Sequence, residues 1–112
     1  MKIKITERYE AVVVELKGNV MGGPEAAEFS ETLKKLLSEG KNKIVIDLSD
    51  VKFMNSSGLG MLISGLTTVS KEGGKLKLAG MGDKIESLLM ITKLITIFET
   101  YENVDAAIAS FN

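Results

Sequence analysis

The run Ile44-Val45-Ile46 is apolar at consecutive positions and lies between two segments with helical periodicity. A strand with one face in water alternates apolar and polar residues, so an unbroken apolar run belongs to a strand covered on both faces. A chain built around such a strand layers helices against a sheet, and strand–helix–strand connections make the pairs on either side of it parallel.

The flanking segments complete that scheme. Ile3 and Ile5 alternate with Lys2, Lys4 and Thr6, which predicts a half-buried strand. Residues 9–16, rich in valine, predict a second strand, and Glu7-Arg8 between them predicts a tight turn and an antiparallel pair. The glycine-rich segment Gly18-Asn-Val-Met-Gly-Gly-Pro24-Glu25 is a loop, and Pro24 suits the first position of the helix that follows. That helix carries Ala26, Phe29 or Ser30, Leu33, Leu36 and Leu37 on one face and ends at Gly40. Leu59, Leu62, Ile63, Leu66 and Val69 mark a second helix, stopped by Gly73-Gly74. Lys75 to Ala79 is a strand, and Asp83 is expected to cap a helix bearing Ile85, Leu88 and Leu89. Ile95-Thr-Ile97-Phe98 predicts a short strand, and Val104, Ala107, Ile108 and Phe111 line a last helix. The reading is one α/β domain over residues 1–112, with a mixed four- to five-stranded sheet, an antiparallel N-terminal hairpin and about four helices, most of them on one face.

Composition removes whole classes of chemistry. The chain has no cysteine and no histidine, so thiol nucleophiles, thiolate zinc sites, imidazole bases and Ser-His pairs are excluded. No spaced aspartate cluster of the calcium-loop type occurs, and no metal or cofactor is expected. Fourteen basic residues balance 15 acidic ones, which argues against a nucleic-acid partner. The densest basic cluster, Lys71-Glu-Gly-Gly-Lys75-Leu-Lys77, is diluted by an acid and two glycines. No stretch approaches the roughly 18 apolar residues of a membrane span, and Met1 to Arg8 carries no apolar signal core. A cytoplasmic protein is expected. Gly58-Leu-Gly60 and Gly80-Met-Gly82 each open like a dinucleotide fingerprint, but Ile63 and Ile85 stand where its third glycine belongs.

The chemistry-bearing segment runs from Ile44 to Gly60, where a buried strand passes through a loop into the second helix. Asn55, Ser56 and Ser57 arrive at the helix start, where short polar side chains cap free backbone N–H groups. Asp47-Leu48-Ser49-Asp50-Val51, followed by Phe53-Met54-Asn55-Ser56-Ser57-Gly58-Leu59, resembles the signature of STAS domains in bacterial anti-sigma factor antagonists. The resemblance extends over essentially the whole chain, through element order, the Gly18-Asn-Val turn and the Gly73-Gly74-Lys75 turn.

That resemblance implies a binding protein rather than an enzyme. In the family, the serine before the Gly-Leu pair is phosphorylated by an anti-sigma factor that is itself a serine kinase, and a PP2C-type phosphatase resets it. The unmodified protein sequesters the kinase and frees a sigma factor for transcription. By position the acceptor is Ser57, with Ser56 the neighbouring alternative. Asn55, Ser56, Gly58 and Leu59, with Met21, Gly22 and Gly23 of the loop, are the expected partner-binding residues. Met90 and Ile91 join them, because they extend the third helix's apolar surface beyond one stripe. The free protein is expected to be a monomer. STAS domains also serve as scaffold subunits of signalling assemblies and as accessory subunits of lipid or anion transporters, which are the alternative readings. The chain departs from the family pattern at Asn55, where aspartate is usual, at Met21 in a loop that often carries Gly-x-Leu-Asp, and at Lys93, where relatives have glycine.

Overall fold

The computed structural model describes residues 1–9 and 11–111. Five strands form one sheet in the order β1-β2-β3-β4-β5, with β1 (Lys2–Arg8), β2 (Ala11–Lys17), β3 (Lys43–Asp50), β4 (Lys75–Ala79) and β5 (Glu99–Tyr101). β1 and β2 are antiparallel, and every later pair is parallel. The connections carry α1 (Pro24–Ser38), α2 (Ser56–Lys71) and α3 (Asp83–Ile91), and α4 (Val104–Ala109) follows the last strand.

Alternation along the central strands sorts the core into two layers. Val12, Val14, Leu16, Ile44, Ile46, Leu48, Leu76 and Leu78 face α1, α2 and α3. Ala11, Val13, Val45 and Ala79 face α4, packing on Ala107 and Ile108. Ile44-Val45-Ile46 is therefore buried on both sides, as its composition requires. Each fully buried aliphatic side chain of this kind contributes roughly 1.5–3 kcal/mol. Gly65 brings α2 close to α1, since a Cβ there would stand 2.8 Å from the Phe29 ring and 2.9 Å from Leu33 Cδ1.

Three local expectations are corrected. The hairpin turn comes later than Glu7-Arg8: β1 continues to Arg8, which pairs with Ala11, and Tyr9 is in the left-handed region at φ 55°. The expected strand over residues 9–16 includes residue 10, which lies outside the described residues; within them, β2 begins at Ala11. Asp83 is the first helical residue of α3 and not its cap; Gly82 takes that place in an extended conformation without a side-chain hydrogen bond. The carboxylate still complements the helix N-terminus electrostatically. The third correction concerns residues 95–98, where Leu94–Thr96 form a 3-10 turn and the strand falls on Glu99–Tyr101. Leu94 and Ile95 pack against the core from the turn and Phe98 is buried, so their apolarity anchors a connection and does not mark the strand.

Lys93 adopts φ 64°, ψ 11° just after α3. A side chain in this left-handed region costs about 1 kcal/mol relative to glycine. Lys93→Gly is accordingly expected to raise stability by about that amount in urea denaturation; a loss would mean that the lysine side chain holds this helix end.

Candidate functional site

The site forms where β2 and β3 end side by side. Beyond β2 the chain stays alongside the loop after β3: the Gly18 amide donates to the Asp50 carbonyl at 3.2 Å, and the Val20 amide to the Phe53 carbonyl at 3.0 Å. Val20 and Met54 make an isolated parallel bridge, and both are buried. Together with buried Val51 they pin the loop to the core, so the residues after Met54 leave from a fixed point.

Asn55 is extended at φ −99°, ψ −177°, and its Oδ1 accepts the Gly58 amide at 2.8 Å. Its own carbonyl accepts the Leu59 amide at 2.9 Å, which starts the α2 ladder. Asparagine thus does the capping work that the usual aspartate would do, without the charge. Ser56 and Ser57 are the first two helical residues, and both are exposed. No hydrogen bond to the Ser57 hydroxyl occurs among the described residues. The first turn of α2 carries no acidic residue, so no carboxylate of the helix itself meets the positive end of its dipole.

Gly22 closes the other side. It is buried at φ +79°, and a Cβ on it would sit 2.7 Å from Ser57 Cβ and 3.1 Å from the Ser57 carbonyl oxygen. The loop before α1 therefore lies directly against Ser57, and only glycine fits that position. Met21 and Phe53 flank this junction along the chain and expose apolar surface. Residues 19–24 and 53–60 include no titratable side chain.

The sequence-expected residues divide into three groups. Asn55, Ser56, Ser57, Met21, Gly22 and Gly23 come together at the strand ends. Gly58 and Leu59 lie beneath that surface. Gly58 is buried against the Val20 carbonyl, and Leu59 is 5% exposed, turned into the core. Met90 and Ile91 are exposed in the last turn of α3, the end away from the strand-end edge where that helix begins. Phe53 was not expected as a site residue, although its place between buried Val51 and Met54 in a loop is a signal for an outward-facing side chain. Among the described residues no cluster of three or more acidic side chains could hold a metal ion.

Fold and site define a small mixed α/β domain that presents two serine hydroxyls on a capped helix at the ends of its parallel strands. Residues 2–107 match the STAS domain model, and the chain belongs to that family. It is 35% identical over 74 residues to a Thermotoga neapolitana protein named as a candidate anti-sigma factor antagonist, a match spanning 66% of this chain and 66% of that protein. It is 28% identical to the anti-sigma-B factor antagonist of Staphylococcus aureus, over 70% of this chain and 72% of that protein. The crystal structure of a candidate anti-sigma factor antagonist from Thermotoga maritima superposes with a TM-score of 0.86 at 26% identity, covering 96% of this chain and 92% of that one. The fold is shared with SpoIIAA of Bacillus at 16% identity, in its unphosphorylated form (TM-score 0.72, 98% and 97% covered) and its phosphorylated form (TM-score 0.74, 99% and 100% covered). It is also shared with a sulfate transporter family protein of Wolinella succinogenes at 19% identity and a TM-score of 0.77, with 88% and 81% covered.

Proposed function

We propose that this protein is an anti-sigma factor antagonist: a cytoplasmic binding protein, not an enzyme, that sequesters an anti-sigma serine kinase until phosphorylation of Ser57 ends the complex. The observation that carries the reading is the Ser57 hydroxyl, exposed at the second position of α2 and backed by side-chain-free Gly22. A kinase cleft needs such access, and a partner surface can approach the backbone closely where no Cβ intervenes.

A phosphate on Ser57 brings about −1.5 to −2 charges, which the free amides and the dipole at a helix N-terminus accommodate. The modification is therefore expected to leave the fold intact. Its effect falls on the complex, where a charge facing the partner must lose water without gaining a counter-ion. The phosphate itself has a second pKa near 6, so its charge varies across the physiological pH range. A PP2C-type phosphatase would restore the binding state.

Calorimetric titration with the cognate anti-sigma kinase in its nucleotide-bound form tests the reading. Saturable binding by the unmodified, monomeric chain is expected. No binding, together with a stable oligomer in light scattering, would move the protein to a scaffold role. No binding by a monomer would favour an accessory subunit of a lipid or anion transporter.

A further inference from the structure

Exposed apolar side chains are ordinary when scattered singly and carry meaning when they adjoin a reactive group. Val20 and Met54 form a parallel bridge and are 0% and 3% exposed. Side chains alternate across paired backbone, so burying these two turns their neighbours Met21 and Phe53 to the outer side, where they are 42% and 50% exposed. Both lie on the stretches that bracket Ser57. Met21 precedes Gly22, on which a Cβ would stand 2.7 Å from Ser57 Cβ, and Phe53 is two residues before Asn55, which caps the helix.

Their backbone is fixed before any partner arrives. The Phe53 carbonyl accepts the Val20 amide at 3.0 Å, and the Val20 carbonyl accepts the Asn55 amide at 3.4 Å. An aromatic side chain has few torsions to immobilise, so on a pinned backbone it loses little entropy when it is bound. Methionine is flexible and polarizable, and it adapts to the shape of an apolar pocket. Met90 and Ile91 are more exposed, but they lie in the last turn of α3, away from this edge.

We propose that Phe53 and Met21 are the apolar anchor by which the anti-sigma kinase grips this chain, seated in an apolar pocket beside its transfer cleft. The inference rests on the function proposed above and adds which side chains hold the partner. A kinase that reaches the Ser57 hydroxyl lies over the Gly22 loop and covers both side chains, which removes their apolar area from water. Anchor and acceptor do separate work: Phe53 and Met21 supply affinity, and Ser57 supplies the switch. A kinase with a polar group in place of that pocket is refused, because the group loses water and gains no hydrogen bond.

Calorimetric titration of the full chain with the cognate kinase, in ADP so that no transfer occurs, tests this. Phe53→Ala should weaken binding about tenfold and make the heat-capacity change of binding less negative. Phe53→Leu keeps an apolar side chain and should bind within about threefold of the parent. Met21→Gln keeps the side chain's length and should cost about threefold, whereas Ile91→Ala should cost nothing. In ATP, Phe53→Ala should raise KM for the chain and keep kcat, since the hydroxyl and its helix are untouched. Equal binding by Phe53→Ala and the parent would overturn the anchor and leave the proposed function standing. So would an equal loss in Ile91→Ala, or a fall in kcat at constant KM. A parent chain that the kinase does not bind would overturn both.

Discussion

Gly58→Ala is expected to destabilise the domain by about 2 kcal/mol in urea denaturation, although alanine is the better helix former. Its Cβ would stand 2.1 Å from the Val20 carbonyl oxygen and 2.9 Å from Met54 Cγ. The carbonyl has little freedom to retreat, because Val20 is bridged to Met54 and hydrogen-bonded to Phe53 and Asn55. Forcing a methyl group into a packed site costs about 1–3 kcal/mol, occasionally more, and the helix-propensity gain of up to about 1 kcal/mol offsets part of that. Gly60 is the internal control, since a Cβ there meets nothing within 4 Å. Gly60→Ala should therefore stabilise α2 by roughly 0.5–1 kcal/mol. If both variants stabilise alike, contact between the Val20 segment and α2 does not set the geometry of the site.

The second large effect separates stability from binding at one residue. Ser57→Ala removes a hydroxyl that has no hydrogen-bond partner among the described residues, while Asn55 still caps the helix. Its stability should change by less than about 0.5 kcal/mol, and it should bind the kinase as the unmodified chain does. Ser57→Asp places a carboxylate in a first turn that has none. Dipole complementarity makes that neutral or favourable to the fold by about 0.3–1 kcal/mol. Under the proposed function the same charge would face the kinase without a counter-ion, and about 1.4 kcal/mol is enough for a tenfold loss of affinity. The expected pattern is an aspartate variant at least as stable as the parent that binds tenfold or more weakly. Equal binding by the two variants would reduce Ser57 to a helix residue.

The sequence makes the layers of this fold legible wherever burial is regular. Ile44-Val45-Ile46 marks the doubly covered strand, and Leu59, Leu62 and Val69 mark the buried stripe of α2. It misleads at the sheet edge, because β5 consists of Glu99, Thr100 and Tyr101, bonded to one neighbour only and free of an apolar period. The apolar residues just before it belong to a packed turn. At the site, Asn55 and the two serines are readable because helix capping is local chemistry. Gly22 against Ser57 is not readable, since that contact joins residues 35 positions apart and depends on how β2 and β3 end together. Leu59 shows the reverse limit: it sits within the signature, yet helical geometry turns it into the core.

Phosphate transfer from ATP by the cognate anti-sigma kinase decides whether Ser57 is the acceptor that controls a partner surface. The product is mapped by mass spectrometry and then titrated against fresh kinase. One phosphate is expected, on Ser57 and absent from Ser57→Ala, with a phosphorylated chain that keeps its fold but binds at least tenfold more weakly. Phosphate on Ser56 instead, no transfer at all, or a phosphorylated chain that binds as well as the unmodified one would contradict that role for Ser57.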